Sequence, residues 1–233
     1  MLQDKPLLFR LINIQERVRS MNNIIVCCGG QLGPWTKPLI ESADIRIGSD
    51  RGALYLIQQG YILDYALGDF DSVTLEQLDL IKEKAKSFEM VDAIDKDDTD
   101  SMLALKKAIS LNPNTITLIG ALGSRYDHSM NNIQLLIQTA EANIPCVIED
   151  ERNRISIVDP NRKVSVNKSR FENISLIPLS TVVKGITISG FKYLLQDATF
   201  VQGKAYGISN VLIEEVGSVE VKEGYLLVIE SND

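Results

Sequence analysis

From Asn23 to about Glu149, short apolar runs alternate with stretches whose apolar residues recur at helical spacing. The runs are "IIVCC" (24–28), "IRIGS" (45–49), "DYALG" (64–68), "FEMV" (88–91), "TITLI" (115–119) and "PCVIE" (145–149). Helical patterns fall near 51–59, 74–86, 98–110 and 128–142. In the last of them Ile133, Leu136, Ile137 and Ala140 stand at i, i+3, i+4 and i+7, which builds one apolar face. Strand and helix in alternation predict an α/β fold, Rossmann-like, with a mostly parallel sheet covered by helices on both faces.

After about Asp150 the pattern changes to short β-type segments: "RISIV", "KVSV", "ISLIPL", "VKGITIS", "DATFV", "GSVEV" and "YLLVIE", separated by Gly, Pro, Asn and Asp. Alternation of period two and the lack of a helical stretch predict a small antiparallel β-sandwich or barrel. The expected boundary lies near residues 149–152, dividing an α/β unit (21–149) from a β unit (150–233). Met21 stands just before the first clean strand, so residues 1–20 read as an extension or an alternative start outside the fold.

Composition narrows the function classes. The chain has 233 residues, 45% of them hydrophobic, with 31 acids against 24 bases and a net charge of −7. That balance argues against non-specific binding to nucleic acid or to an anionic membrane. No apolar run approaches the ~18 residues of a membrane span, and the first twenty residues lack the pattern of a secretory signal. Cys27, Cys28 and Cys146 cannot all pair with one another. Reduced thiols in a cytoplasmic protein are the simplest account. With one histidine, His128, and no CxxC spacing, zinc is not expected.

The unusual residues fall at the carboxyl ends of the expected strands, where open parallel sheets gather ligands. "GSDRG" (48–52) offers Asp50 and Arg51, "GDFDS" (68–72) offers Asp69 and Asp71, "DKDDTD" (95–100) holds four acids, and "GALGSRYDH" (120–128) offers a glycine loop, Arg125 and Asp127. Two carboxylates ~4 Å apart repel by roughly 4 kcal/mol near a protein surface, so such a cluster calls for a compensating cation or solvent. Magnesium takes oxygen ligands together with phosphates, arginine forks onto phosphate oxygens, and glycines 29, 30, 120 and 123 let backbone N–H groups approach a polyphosphate. No GxxxxGK[ST] sequence is present. Each piece alone has an ordinary reading: Asp97 or Asp98 as a helix cap, Asp71–Ser72 as a turn, His128 as a helix start, Gly29–Gly30 as a strand end. Their joint occurrence at successive strand ends is what points to a magnesium-nucleotide site.

In order and spacing, "GDFDS", "DKDDTD" with the following "SMLALKKA", and "GALGSRYDHSMNNIQLL" resemble the active-site motifs of the thiamine pyrophosphokinases, and "ISLIPLS", "GITISGFKYLL" and "YGISN" resemble that family's β-domain segments. The resemblance implies a homodimer, with active sites between subunits, that transfers pyrophosphate from ATP to the hydroxyethyl group of thiamine, giving thiamine diphosphate and AMP. It implies magnesium on Asp69, Asp71 and Asp100, with Asp50 beside them. It also implies a nucleotide site including Asp50, Asp97, Thr99, Arg125 and Asp127, and thiamine contacts from Ser209 and Asn210. Asp71, Asp100 and Arg125 are the expected catalytic groups, the general base being one of the two acids. "GSDRGA" departs from the family's "ADGG"-like stretch, and Val211 stands where an acid is often found. The competing readings are a pyrophosphokinase for another hydroxymethyl heterocycle, such as a pterin, and a non-catalytic nucleotide sensor.

Overall fold

A computed structural model describes residues 22–91, 98–204 and 206–233. Residues 1–20 and Asp97 lie outside the described residues. The six apolar runs of the first half become β1 (Asn23–Cys27), β2 (Ile45–Ser49), β3 (Leu63–Gly68), β4 (Ala85–Met90), β5 (Thr115–Ile119) and β6 (Cys146–Glu149). They pair in parallel in the order β4-β3-β2-β1-β5-β6. The connecting helices are α1 (Lys37–Glu41), α2 (Arg51–Gln58), α3 (Leu75–Lys84), α4 (Asp100–Ser110), α5 (Tyr126–Gln134) and α6 (Leu136–Glu141).

The second half supplies β7 (Asn153–Val158), β8 (Val164–Asn167), β9 (Asn173–Pro178), β10 (Val182–Ser189), β11 (Leu195–Val201), β12 (Val216–Glu220) and β13 (Leu226–Ser231). All seven expected strand segments are present. Strands β7, β13 and β9 join the first sheet antiparallel, with Val147 opposite Ser156, so a nine-stranded sheet runs through residues 149–152. The other four form a separate antiparallel sheet, β11-β10-β12-β8. Strand β13 shows how the halves are welded. Leu227 packs into the core under the helices, while Leu226 and Val228 face the second sheet with Val183, Ile186 and Val219. Side chains alternate across a strand, so one short segment closes two cores.

Two local expectations are corrected, and one feature was not foreseen. The helix expected to reach residue 86 ends at Lys84, because Ala85 turns extended (φ −74°, ψ 137°) and pairs with Leu63 of β3; sheet pairing overrides the helical propensity of "EKAKS". The helix expected over 128–142 begins at Tyr126 and breaks at Leu135, whose N–H is shared between the Asn131 and Asn132 carbonyls. Such tightening is common at helix ends, and Leu135, Leu136 and Ala140 all stay in the core. The short 3₁₀ turn at Pro34–Thr36 and α1 behind it were not expected, since five residues are too few to show a period. All three cysteines are unpaired and buried, and burial pushes their thiols up, Cys146 to about 12.

The start of α2 is pressed against the end of β1. A Cβ on Gly52 would strike the Cys27 carbonyl oxygen. Overpacking of this kind costs about 1–3 kcal/mol, so Gly52→Ala should lower the unfolding free energy by about that amount in a urea titration; an unchanged midpoint would contradict this contact.

Candidate active site

At the carboxyl ends of β1, β2, β3 and β5 a cleft of about 490 Å3 opens, lined by the loops after each of those strands and by the starts of α2, α4 and α5. Its floor is acidic. One carboxylate oxygen from each of Asp50, Asp69 and Asp71 lies within 4.8 Å of the others. The backbone is bent to bring them there: Asp50 (φ 47°) and Phe70 (φ 58°) both hold left-handed conformations, which cost a non-glycine residue about 1–3 kcal/mol. Hydrogen bonds fix the arrangement. The Phe70 N–H donates to Asp50 Oδ1 at 3.0 Å, the Asp71 N–H to Asp69 Oδ1 at 3.1 Å, and the Asp69 N–H to Asp100 Oδ1 at 3.3 Å. Gly68 (φ 142°) allows the crowding, since a Cβ there would sit 2.5 Å from Asp50 Oδ1 and 3.2 Å from Asp100 Oδ1. Burial, reinforced by the Asp100 charge, pushes Asp50 up to about 7.

The opposite wall is made of backbone. Cys28 N donates to Ile119 O, Gly30 N to Gly120 O and Gln31 N to Leu122 O, so the loops after β1 and β5 are zipped together. Only glycine fits at 30, where a Cβ would meet the Gly120 and Leu122 carbonyls, and Gly120 is left-handed at φ 64°. Arg51 and Arg125 stand at the edge of the cleft. The exposed Arg125 guanidinium reaches Asp127 Oδ2 at 2.6 Å, an ion pair that holds the Asp127 carboxyl below its usual range.

The structure therefore brings Asp50, Asp71, Thr99, Asp100 and Arg125 to one cleft, with Asp69 beside them. Thr99 also caps α4, its hydroxyl accepting the Met102 N–H at 3.3 Å; Asp98 does not cap and instead pairs with Lys106 at 2.6 Å. Asp127 does not line the cleft and reaches it only through Arg125. The geometry shifts emphasis within the acid set: Asp50 is the residue whose oxygen converges with those of Asp69 and Asp71, and Asp100 abuts it. Residues that the sequence reading did not assign also line the cleft, among them Cys28, Ser49, Ser101, Ser129 and Asn132. Only the last two carried a signal, as polar positions at i+4 and i+7 from Arg125 on the helix after the glycine loop.

Ser209 and Asn210 lie elsewhere. Their segment pairs with β9 through Ile174 and Asn210, five strands from β1 in the sheet order, which amounts to about 24 Å at ~4.8 Å per strand. Ser209 is exposed at φ 55°. Asn210 is buried and its amide is engaged: Oδ1 accepts from Tyr193 N (3.0 Å) and Val211 N (2.8 Å), and Nδ2 donates to Tyr193 O (2.7 Å). Asn210 thus clamps "KYLL" in place.

Asp50 carries a pH signature. An aspartate in an unfolded chain titrates near 3.9, whereas Asp50 in the folded chain titrates at about 7. Protonation therefore favours the folded state, and this contribution is complete below about pH 4 and lost as the pH climbs to about 7. Without divalent ions, the melting temperature of Asp50→Asn should gain on that of the parent chain across this interval and level off above it; a difference that stays constant with pH would contradict the assignment.

Comparison with known proteins places this geometry. Residues 36–148 match the family model described as "Thiamin pyrophosphokinase, catalytic domain", and residues 161–226 match "Thiamin pyrophosphokinase, vitamin B1 binding domain". A thiamine pyrophosphokinase of Bacillus subtilis (strain 168) is 34% identical over 215 residues, covering 91% of this chain and all of the relative. The crystal structure of a B. subtilis thiamine pyrophosphokinase superposes with a TM-score of 0.83 at 33% identity, over 91% of this chain and 100% of that one. The enzyme from Geobacillus thermodenitrificans gives 0.79 at 32% identity, over 91% and 98%. With the fold, the order of the motifs and both matched segments in agreement, the chain belongs to the thiamin pyrophosphokinase family.

Proposed function

We propose that the chain is a magnesium-dependent thiamine diphosphokinase, transferring the pyrophosphoryl group of ATP to the hydroxyethyl oxygen of thiamine and releasing AMP. The observation that carries the reading is the meeting, in one cleft of a chain of this family, of converging carboxylates with a glycine-lined backbone wall. The donor set suits magnesium: it consists of hard carboxylate oxygens only, and Asp50, raised by burial and then by the neighbouring Asp100 charge, is a carboxyl whose ionised form a cation would favour. Asp50, Asp69 and Asp71 would hold the ion, with Asp100 completing the acid set. When bound, magnesium supplies charge neutralisation to phosphate oxygens.

The protein's own groups do the rest. Arg125 and Arg51 face the phosphates and stabilise charge that develops on them. Asp71 or Asp100 takes the proton from the thiamine hydroxyl. Holding both substrates in line contributes on the order of 7–11 kcal/mol. The sheet order favours a homodimer, because the Ser209 segment bridges β9, four strands beyond the β5 side of its own chain's cleft, roughly 19 Å at ~4.8 Å per strand. A second copy would bring the Ser209 segment, with exposed Tyr193 and Leu194, against the cleft. The division of labour follows the halves: residues 21–149 for ATP and 150–233 for thiamine. Among the described residues no helix is long and apolar enough to cross a membrane, and the three unpaired cysteines suit a cytoplasmic location.

The direct test is to incubate the protein with ATP, magnesium and thiamine and to separate the products by chromatography. Matched AMP and thiamine diphosphate are expected; ADP with thiamine monophosphate would overturn the reading. Asp71→Asn and Asp100→Asn should each keep the parent melting temperature and lose at least ~100-fold in turnover, a range set by the loss of an acid-base or charge-organising group. Near-parent rates in both would remove these acids from the chemistry. Sedimentation equilibrium should give a dimer, and a monomer at concentrations that support turnover would exclude the shared site.

A further inference from the structure

We propose that Ser129 and Asn132 are positioning residues for the nucleotide: Asn132 ties back the Ala121 carbonyl and Ser129 pins the Gly123–Arg125 backbone, so that the N–H groups of Ala121, Leu122 and Ser124 face the phosphates. The proposal rests on the nucleotide reading above and assigns a task to two buried side chains of α5 that this reading leaves without one.

From Gly120 to Leu122 the loop's hydrogen bonds are sorted by polarity. Gly120 O accepts from Gly30 N at 2.8 Å, Leu122 O from Gln31 N at 3.3 Å, and Ala121 O from Asn132 Nδ2 at 2.7 Å. Ser129 Oγ accepts the Gly123 N–H at 3.1 Å, and its single proton goes to Arg125 O at 3.1 Å or Gly123 O at 3.4 Å. Every carbonyl from Gly120 to Leu122 is thus held by a donor. Among the described residues, the N–H groups of Ala121, Leu122 and Ser124 have no protein acceptor, and all three residues line the cleft. Ala121 is buried and Leu122 half-buried, where an N–H group is rarely left orphaned, and neighbouring N–H groups turned to one side make an anion-binding concavity. Helix α5 begins just beyond, with no side-chain cap on its first turn, which adds its own unpaired N–H groups to the same field.

Asn132 is the pivot. It is 5% exposed and is the only side-chain donor to a carbonyl in the Gly120–Leu122 stretch among the described residues. Without it the Ala121 carbonyl loses its donor, and the Ala121–Leu122 peptide is free to rotate, aiming an oxygen at the phosphates and withdrawing the Leu122 N–H. The effect falls on whatever occupies the phosphate side of the cleft and not on the distant Ser209 segment.

The test uses the full-length protein with Asn132→Leu, Ser129→Ala and Ser129→Thr, measuring KM for magnesium-ATP, KM for thiamine, kcat, the melting temperature, and binding of inorganic tripolyphosphate, a probe with no nucleoside. Asn132→Leu and Ser129→Ala should each raise the ATP KM and weaken tripolyphosphate binding by about tenfold, leaving the thiamine KM within about twofold. Ser129→Thr, which keeps the hydroxyl, should restore the parent ATP KM. Equal rises in both KM values, or a lower melting temperature with an unchanged ATP KM, would overturn the proposal. If Asn132→Leu fails to fold, the Ala/Thr contrast at 129 decides alone. A parent protein that binds neither ATP nor tripolyphosphate would overturn the nucleotide reading itself; binding by the parent that the variants leave intact would overturn this inference only.

Discussion

Crowded negative charge at the end of β3 is the constraint around which the catalytic half is arranged. Asp50, Asp69 and Asp71 hold oxygens within 4.8 Å of one another, with Asp100 against the same backbone. At roughly 4 kcal/mol for each pair of charges ~4 Å apart, no isolated peptide would hold such a set. Here the left-handed Asp50 and Phe70, the missing Cβ of Gly68 and three backbone N–H donors impose it. A parallel sheet with its helices is stiff enough to maintain that strain, and a site built on it is organised before any ligand arrives. Burial, with the Asp100 charge, raises Asp50 to about 7, and its protonation below that pH removes part of the repulsion.

Opposite the acids, the loops after β1 and β5 form a wall of the other polarity. The two are complementary in the way a metal–polyphosphate ligand is itself divided, with cation on one side and anionic oxygens on the other. The nine-stranded sheet carries that organisation to the β half without bringing the β half's loops near the cleft. Strand β13, packed on both faces, makes the two halves one structure.

Much of this was legible in the sequence because it depends on short-range patterns. Six apolar runs gave the parallel strands, alternation gave the seven strands of the second half, and acids or glycines at strand ends marked the rim. What was not legible depends on long-range contact. Ala85 is a strand residue because Leu63 lies beside it. Asp50 meets Asp69 and Asp71 because the turn after β2 is left-handed, a conformation no residue pattern announces for an aspartate. That the Asn210 amide clamps Tyr193 was hidden too, since that partner is 17 residues away and found only by folding. The continuous sheet through residues 149–152 was hidden for the same reason: the change of pattern there is real, yet β6 and β7 still pair.

We assign to the acid cluster a divalent cation held together with a polyphosphate. Manganese, which is paramagnetic and accepts the same oxygen donors, allows a direct reading by electron paramagnetic resonance during titration of the protein with and without a non-hydrolysable ATP analogue. Manganese is expected to bind the protein, to be held more tightly when the analogue is present, and to be lost in Asp69→Asn at an unchanged melting temperature. Manganese that follows the analogue alone, indifferent to the protein or to Asp69, would contradict it.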